Sequence, residues 1–389
     1  MRTGLDRLLA DPSSLAGRRY GLLSHCAAVD ADLQPAHLAL VRSRAEAPTR
    51  LFGPEHGFYG VEQDMVASRD ETDPWTGVPI VSLYGDDEAS LRPSPGAFEG
   101  LDLLLIDLQD VGARYYTYAA TAVWAAEAAL AAGCEVRVLD RPNPLGGEVV
   151  EGNMRRPGFD SFIGAFETPV RHGLTLGELI RLEASRRRWA EEIQVVAMEG
   201  WKRSDLWHDT GRPWVAPSPN LPSLAGTMIY PGLCLVEATQ CSEGRGTTRP
   251  FQLVGAPDLD PLRLADALSD QQHPGIVFTP TWFRPQFQKH AGVACGGVLI
   301  EVVDPRAVAS FELGVEVIAT LFRLGGDGFA WRHEPYEFVT DRPAIDLLSG
   351  SDDLRSALES GADFRSWMDT WEADEAGFLE ERRAVLLYD

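Results

Sequence analysis

The sequence predicts an α/β protein: a Rossmann-like parallel-sheet domain followed by a second, smaller α+β domain at the C-terminus. Three observations predict it. Apolar runs alternate with helical patterns through the first two thirds of the chain, which is the order of βαβ units. One run, Leu101-Asp102-Leu103-Leu104-Leu105-Ile106, is nearly continuous in apolar residues, as a strand covered on both faces must be. At 389 residues the chain is also long for one hydrophobic core, so two domains are expected.

Taken in order, strands are expected at 19–24, 49–52, 78–83, 101–107, 135–139 and 193–198. Helical patterns fall between them at 35–42, 115–132 and 175–188. The last opens on Thr175-Leu176-Gly177-Glu178, a capping box in which hydroxyl and carboxylate each satisfy an orphan N–H. No G-x-G-x-x-G follows the first strand, so the layout carries no dinucleotide implication. Regular patterning lapses over 200–231, where Trp201, Trp207, Trp214, Pro213, Pro217, Pro219 and Pro222 crowd a loop. A loop of that length usually carries function. A strand is predicted at 233–239, then the glycine-rich stretch Ser242-Glu243-Gly244-Arg245-Gly246-Thr247. Beyond it the pattern reads helix 261–272, strands 276–282 and 296–303, and helix 307–324. The domains are therefore drawn at 1–255, Rossmann-like and catalytic, and 256–389, closing the cleft.

Composition removes several function classes. Hydrophobic residues at 44% and charged residues at 24% fit a folded globular chain. Against 58 acidic residues stand 35 basic ones, a net charge of −23. Such a surface repels polyanions, so neither nucleic acid nor an anionic membrane is expected as a partner. Five cysteines with no C-x-x-C pair argue against a disulfide framework and a structural zinc site. Residues 1–10 lack an apolar h-region. No stretch reaches the roughly 18 apolar residues of a membrane span, and Glu127 interrupts the most apolar helix. The expected compartment is the cytoplasm.

The chemistry concentrates at predicted strand ends. Gly53-Pro54-Glu55-His56-Gly57 follows the second strand. Pro54 fixes its own φ and disfavours helix at Gly53, so the turn presents Glu55 and His56 side by side. The 101–107 strand runs into Asp107, Asp110, Arg114, Tyr115, Tyr116 and Tyr118. The 135–139 strand runs into Asp140-Arg141-Pro142-Asn143, and the 233–239 segment carries Glu237 toward Glu243 and Arg245. Taken singly, these groups have structural readings: Asp140-Arg141 as a local ion pair, Asp107 as a helix cap. Together they converge on the rim where α/β sheets bind ligands. Carboxylates with tyrosines and Trp214 suit a sugar, because two carboxyl groups can flank a glycosidic bond as acid and base or nucleophile. Arg114, Arg245, Arg249 and His172 suit an anionic substituent on it. G-x-S-x-G, G-x-x-x-x-G-K-[ST] and H-E-x-x-H are absent, which removes three hydrolase classes. A metal site from Asp107, Asp110, His56 and Asp140 stays open, since hard cations accept carboxylates without a sharp motif.

Seven segments, in order, resemble the NamZ-type exo-β-N-acetylmuramidases, a glycoside hydrolase family long known only as a domain of unknown function. They are Leu51-Phe52-Gly53-Pro54-Glu55-His56-Gly57, Asp107 to Gly112 with Arg114-Tyr115-Tyr116-Thr117-Tyr118, Asp140-Arg141-Pro142-Asn143-Pro144, and Val170-Arg171-His172-Gly173-Leu174-Thr175. Pro217-Ser218-Pro219-Asn220-Leu221-Pro222, Tyr230-Pro231-Gly232 and Gly244-Arg245-Gly246-Thr247 complete them. The resemblance implies a cleft between the two domains and release of N-acetylmuramic acid from the non-reducing end of peptidoglycan fragments. By position it makes Glu55 and Glu237 the catalytic carboxylates, with Glu243 in reserve. The candidate substrate-binding residues are then His56, Asp107, Asp110, Arg114, Tyr115, Tyr116, Tyr118, Asn143, His172, Asn220, Glu243, Arg245 and Arg249. No cofactor or metal is implied, and the partner is a small saccharide, a muropeptide or a peptidoglycan-derived disaccharide. The chain departs from the family pattern at Ser24-His25-Cys26 and at Glu237-Ala238-Thr239-Gln240, which bears on substrate preference. The alternatives are a metal-dependent hydrolase of an ester, amide or phosphate, and a sugar-binding protein without turnover.

Overall fold

The computed structural model describes residues 1–43 and 46–389. Seven strands build the larger sheet: β1 (Tyr20–Ser24), β2 (Arg50–Gly53), β3 (Glu71–Thr72), β4 (Pro79–Ser82), β5 (Leu103–Asp107), β6 (Glu135–Leu139) and β7 (Ile193–Val196). They lie in the order β3-β4-β2-β1-β5-β6-β7. Only the two-residue β3 is antiparallel to its neighbour. Without it, the six parallel strands follow the Rossmann order, third-second-first-fourth-fifth-sixth. Leu22 of β1 sits opposite Leu51 of β2 and Leu105 of β5. Both β1 and β5 are buried along their whole length, because elements cover both faces.

Helices α1 (Gly4–Ala10), α2 (Ala36–Arg42), α3 (Tyr118–Ala131) and α4 (Leu176–Arg187) flank this sheet. Most of α3 is buried, so its run of alanine and apolar residues is explained by burial in protein. Among the described residues, no helix is long and apolar enough to cross a membrane. The Thr175 capping box forms as predicted. Asp140 reinforces it, accepting from Thr175 Oγ1 at 2.7 Å and Gly177 N at 2.8 Å. The end of β6 thereby fixes the start of α4, and the predicted Asp140–Arg141 pair does not form: Arg141 binds Asp107.

The predicted strand at 233–239 is helical. Helix α5 (Leu224–Leu233) runs on into a 3₁₀ turn at Cys234–Ala238. Leu233, Cys234, Leu235 and Val236 are all buried, and an apolar run buried all round has no period to separate strand from helix. Three further strands, β8 (Leu253–Ala256), β9 (Ile276–Phe283) and β10 (Cys295–Val302), form an antiparallel sheet in the order β8-β10-β9. The sequence pattern missed the short β8, as it missed α1 and β3. Helix α6 (Pro261–Ser269) packs on this sheet and α7 (Ser310–Gly325) packs on α5 and α6; α8 (Ala344–Ser349), α9 (Asp353–Ser360), α10 (Arg365–Met368) and α11 (Trp371–Arg382) follow. One hydrophobic cluster joins Leu104 and Ile106 of the large sheet to Val298, Ile300 and Phe311 of the C-terminal part. The chain end then returns to the first sheet, where Tyr388 Oη donates to Asp140 and Leu387 N donates to Glu178 Oε1.

Candidate active site

The turn after β2 is tightly made. A side chain at Gly53 would meet the Phe58 nitrogen at 2.7 Å, and His56 and Gly57 take φ of 69° and 76°. A β-carbon is disfavoured there, so His56 is held in a strained conformation of the kind found at functional sites. Glu55, 5% exposed, accepts from Thr117 Oγ1 at 2.6 Å and from Met65 N at 3.3 Å. His56 Nδ1 lies 3.0 Å from the Glu62 carbonyl, which makes Nδ1 the donor of that hydrogen bond.

Glu237 comes from the 3₁₀ turn after α5. Its Oε1 accepts from Arg245 Nη2 at 2.6 Å, and its Oε2 accepts from Tyr336 Oη at 2.6 Å. Arg245 also pairs with Asp64 at 3.0 Å and Glu243 at 3.4 Å. Burial opposes the Arg245 charge, yet Glu237, Asp64 and Glu243 push its pKa well above the ordinary value. Burial alone would raise the Asp64 carboxyl; Arg245, a hydrogen bond from Gln288, His56 and Arg332 hold it below the ordinary range. Lys289 Nζ ties the turn down, donating to Glu243 at 2.8 Å and to the carbonyls of Val236, Glu237 and Cys241 at 3.1–3.2 Å.

These groups face one cleft with about 470 Å³ of empty space, lined by Glu55, His56, Asp64, Tyr115, Tyr116, Thr117, Ser218, Asn220, Tyr230, Glu237, Arg245, Tyr336 and Glu337 among others. Beside Arg245 it adjoins a second hollow of about 600 Å³, lined also by Glu243, Gln288, Lys289 and Arg332.

Of the residues singled out from sequence, Glu55, His56, Tyr115, Tyr116, Asn220, Glu237 and Arg245 line the cleft, and Glu243 lines the adjoining hollow. The others do not line either, and each has another partner. Asp107, fully buried, pairs with Arg141. Asp110 accepts from Gly112 N at 2.7 Å, and burial pushes its carboxyl up to about 7. Arg114 spends its donors on the carbonyls of Asn153, Thr168, Leu348 and Ser349. Tyr118 donates to the Pro217 carbonyl, and Asn143 binds Leu174 O and Leu145 N. His172 is buried, and burial with Arg382 and Arg114 nearby pushes its pKa down to about 3, so it offers no cation to an anionic substituent. Arg249 is exposed and pairs with Glu301. Among the described residues, no three His, Cys, Asp or Glu side chains gather as a metal-ligand set.

Sequence reasoning missed Asp64, Thr117, Ser218, Tyr230, Lys289, Tyr336 and Glu337. Thr117, Ser218 and Tyr230 lay inside segments already singled out. Glu334-Pro335-Tyr336-Glu337-Phe338 repeats the proline, acid and aromatic make-up of the turn after β2, the one signal that could have found Glu337.

A family model for the N-terminal domain of exo-β-N-acetylmuramidase NamZ matches residues 20–225, and one for its C-terminal domain matches 228–388. The peptidoglycan β-N-acetylmuramidase NamZ of Bacillus subtilis (strain 168) is 38% identical over 391 residues, spanning 100% of this chain and 91% of that protein. Two crystal structures of DUF1343 family proteins from Bacteroides fragilis NCTC 9343 share the fold. One has a TM-score of 0.88 at 30% identity, the other 0.75 at 26%, each alignment covering 100% of this chain and 99% of the other.

Proposed function

The chain belongs to the exo-β-N-acetylmuramidase NamZ family, and from that premise we propose how its cleft works. It is an exo-acting glycoside hydrolase that releases N-acetylmuramic acid from the non-reducing end of peptidoglycan fragments. Glu55 and Glu237 are its catalytic carboxylates, in keeping with the two carboxyl groups that glycoside hydrolysis uses. The observation that carries this reading is their convergence: two buried carboxylates, 182 positions apart in sequence, line one cleft. Tyr115, Tyr116 and Tyr230 supply aromatic surface in the same cleft.

Arg332, a cation lining the adjoining hollow, replaces His172, Arg114 and Arg249 as the partner for the lactyl carboxylate of the sugar. The Rossmann-like N-terminal domain bears Glu55, and the C-terminal domain, which includes all of β8, closes the cleft over it. Among the described residues the five cysteines are unpaired, which suits a reducing compartment. The cytoplasm, with recycling of wall fragments there, is the proposed place of action.

The test is a chromogenic β-glycoside of N-acetylmuramic acid. Glu55→Gln and Glu237→Gln should each lose most turnover while keeping the wild-type circular dichroism spectrum. Full activity in both variants removes the assignment.

A further inference from the structure

A fourth carboxyl, beside those of Glu55, Asp64 and Glu237, enters the cleft from the C-terminal half. Tyr336-Glu337-Phe338-Val339 is a tight hairpin turn in which Tyr336 N donates to Val339 O and Val339 N to Tyr336 O, at 3.1 and 3.0 Å. Its central residues, Glu337 and Phe338, have φ of 48° and 67°. Two positive φ values in succession mark the mirror-image turn that ordinarily takes Asn-Gly or Asp-Gly. With side chains of this size each residue stores roughly 1–3 kcal/mol of strain. Neither Glu nor Phe prefers that backbone, so the surroundings hold it. Tyr336 Oη donates to Glu237 Oε2 at 2.6 Å, Tyr84 Oη donates to Glu337 Oε2 at 3.1 Å, and the Phe338 ring packs 6.0 Å from that of Tyr84.

The turn delivers the Glu337 carboxyl, 5% exposed, into the cavity that Glu55 also lines. Among the described residues no Lys, Arg or His pairs with it. The acidic groups acting on it are Glu55, Asp64 and Glu237. Tyr84 and Tyr336 are its phenolic neighbours, and both stay protonated because burial raises them. The cations nearby are engaged elsewhere: Arg245 by three carboxylates, Arg332 over the Tyr336 ring at 5.0 Å. Burial, then the Glu55 charge, push the Glu337 carboxyl well above the ordinary range, against the hydrogen bond from Tyr84. Both oxygens of Glu237 already accept, from Arg245 and Tyr336.

We infer that Glu337 is the acid that protonates the glycosidic oxygen, with Glu55 as its basic partner across the cleft. The inference rests on the glycosidase reading above and assigns the proton within it. As the bond from the anomeric carbon to the leaving oxygen breaks, its electron pair goes to that oxygen, which takes the Glu337 proton. A water oxygen bonds to the anomeric carbon and gives a proton to Glu55. Transfer of that proton from Glu55 to Glu337 restores the starting state. Glu237 stays an anion throughout and faces the positive charge that develops on the sugar ring.

The experiment compares two substrates on the full-length enzyme. A β-1,4-linked N-acetylmuramic acid disaccharide needs its leaving alkoxide protonated; a 4-nitrophenyl β-glycoside of the same sugar does not. For Glu337→Gln, kcat/KM on the disaccharide should fall by about 10²–10⁴, the usual size of a general-acid contribution. On the nitrophenyl glycoside it should change far less. Equal losses on both substrates would mean a structural role and overturn the inference, as would an unchanged rate on the disaccharide. Glu55→Gln should lose both substrates. If it retains both while the Glu337 contrast holds, the Glu55 assignment fails and the proton donor stands. Should Glu337→Gln not fold, Tyr84→Phe decides. It removes the hydrogen bond that favours the Glu337 carboxylate, so the alkaline limb of the disaccharide pH profile should move to higher pH. An unmoved limb would refute the role.

Discussion

Placing a methyl group at Gly232 tests how the turn carrying Glu237 is held. An alanine β-carbon there would lie 1.9 Å from the Ser310 carbonyl oxygen and 2.7 Å from the Gly314 nitrogen. Both obstacles are backbone of α7, so no side chain can rotate away. Ordinary contact begins at 3.4 Å, so α5 and α7 must separate by about 1.5 Å locally. The crossing is glycine on glycine, because a β-carbon at Gly314 would meet Gly232 backbone atoms at 2.2–2.3 Å. Overpacking of this kind costs about 1–3 kcal/mol. A rigid backbone obstacle puts Gly232→Ala at the upper end. Glu237 lies on the 3₁₀ turn that continues α5, so the displacement reaches it, and a misplacement of about 1 Å can cost roughly 10²-fold in rate. The control is Gly377→Ala in α11, an exposed position where the new carbon meets nothing within 4 Å. There alanine should stabilise by about 0.5–1 kcal/mol through helix propensity. Urea-unfolding midpoints and kcat on the disaccharide give both readouts. A Gly232→Ala enzyme with wild-type midpoint and turnover would refute the argument that this crossing sets Glu237.

Three more outcomes are expected. Glu337 is raised in the folded state, so its contribution to stability is complete below the unfolded glutamate pKa and is lost as pH rises toward the folded value. Glu337→Gln should therefore gain stability over the wild type by up to about 1.4 kcal/mol per pH unit across that window, and thermal melts that differ equally at pH 4 and pH 8 would contradict it. Asp107→Asn leaves Arg141 buried without its carboxylate partner and should destabilise by about 3–5 kcal/mol; since neither residue lines the cleft, kcat at a temperature where the variant is folded should hold, and a lost kcat without lost stability would return Asp107 to the site. Arg245→Met strips the partner from Glu237, Asp64 and Glu243 and should cost at least tenfold in kcat/KM, whereas Arg249→Ala, losing one exposed pair, should change stability by no more than about 1 kcal/mol and KM not at all; equal effects would undo the distinction between the two arginines.

The two arginines show what sequence can and cannot resolve. Strand β5 and the capping box of α4 were legible because their signals are local: an unbroken apolar run, and a Thr three residues before a Glu. The turn carrying Glu55 was legible for the same reason, with Pro54 and Gly57 defining it within five residues. The 233–239 segment was not, because its apolar run is compatible with either element and the choice is made by α7, eighty residues on. Residue type also fails to separate a guanidinium that meets a ligand from one that satisfies carbonyls. Arg114 has the donors to bind a carboxylate, and the fold gives them to four backbone oxygens. Glu337 was hidden for the converse reason, since nothing near it in sequence tells that residues 336–339 fold back against Tyr84 and Glu237.

Asp107, Asp110, Tyr118 and Asn143, which do not line the cleft, cluster instead at the ends of β1, β5 and β6. A Rossmann-order sheet usually offers its ligand crevice at the switch point beside the first strand, here between the carboxyl ends of β1 and β5. In this chain that point is filled with structural ties. His25 Nε2 accepts from Gln109 N at 2.9 Å, Gln109 Nε2 donates to the Pro142 carbonyl, and Arg141 joins Asp107 to the Val29 carbonyl. Polar groups locked in this way are expensive to disturb and have little capacity left for a ligand. One strand over, the end of β2 faces the C-terminal half of the chain, and there, among the described residues, Glu55 keeps only Thr117 and Met65 as hydrogen-bond partners. The chemistry sits where the sheet's rim meets a second set of acidic and aromatic side chains, the place where a carboxylate can be desolvated by another domain and still reach a substrate. Motifs read from the sequence locate Glu55 and Glu237; Tyr336 and Glu337 complete the site, and the surrounding packing must hold the Glu337 backbone against its own preference.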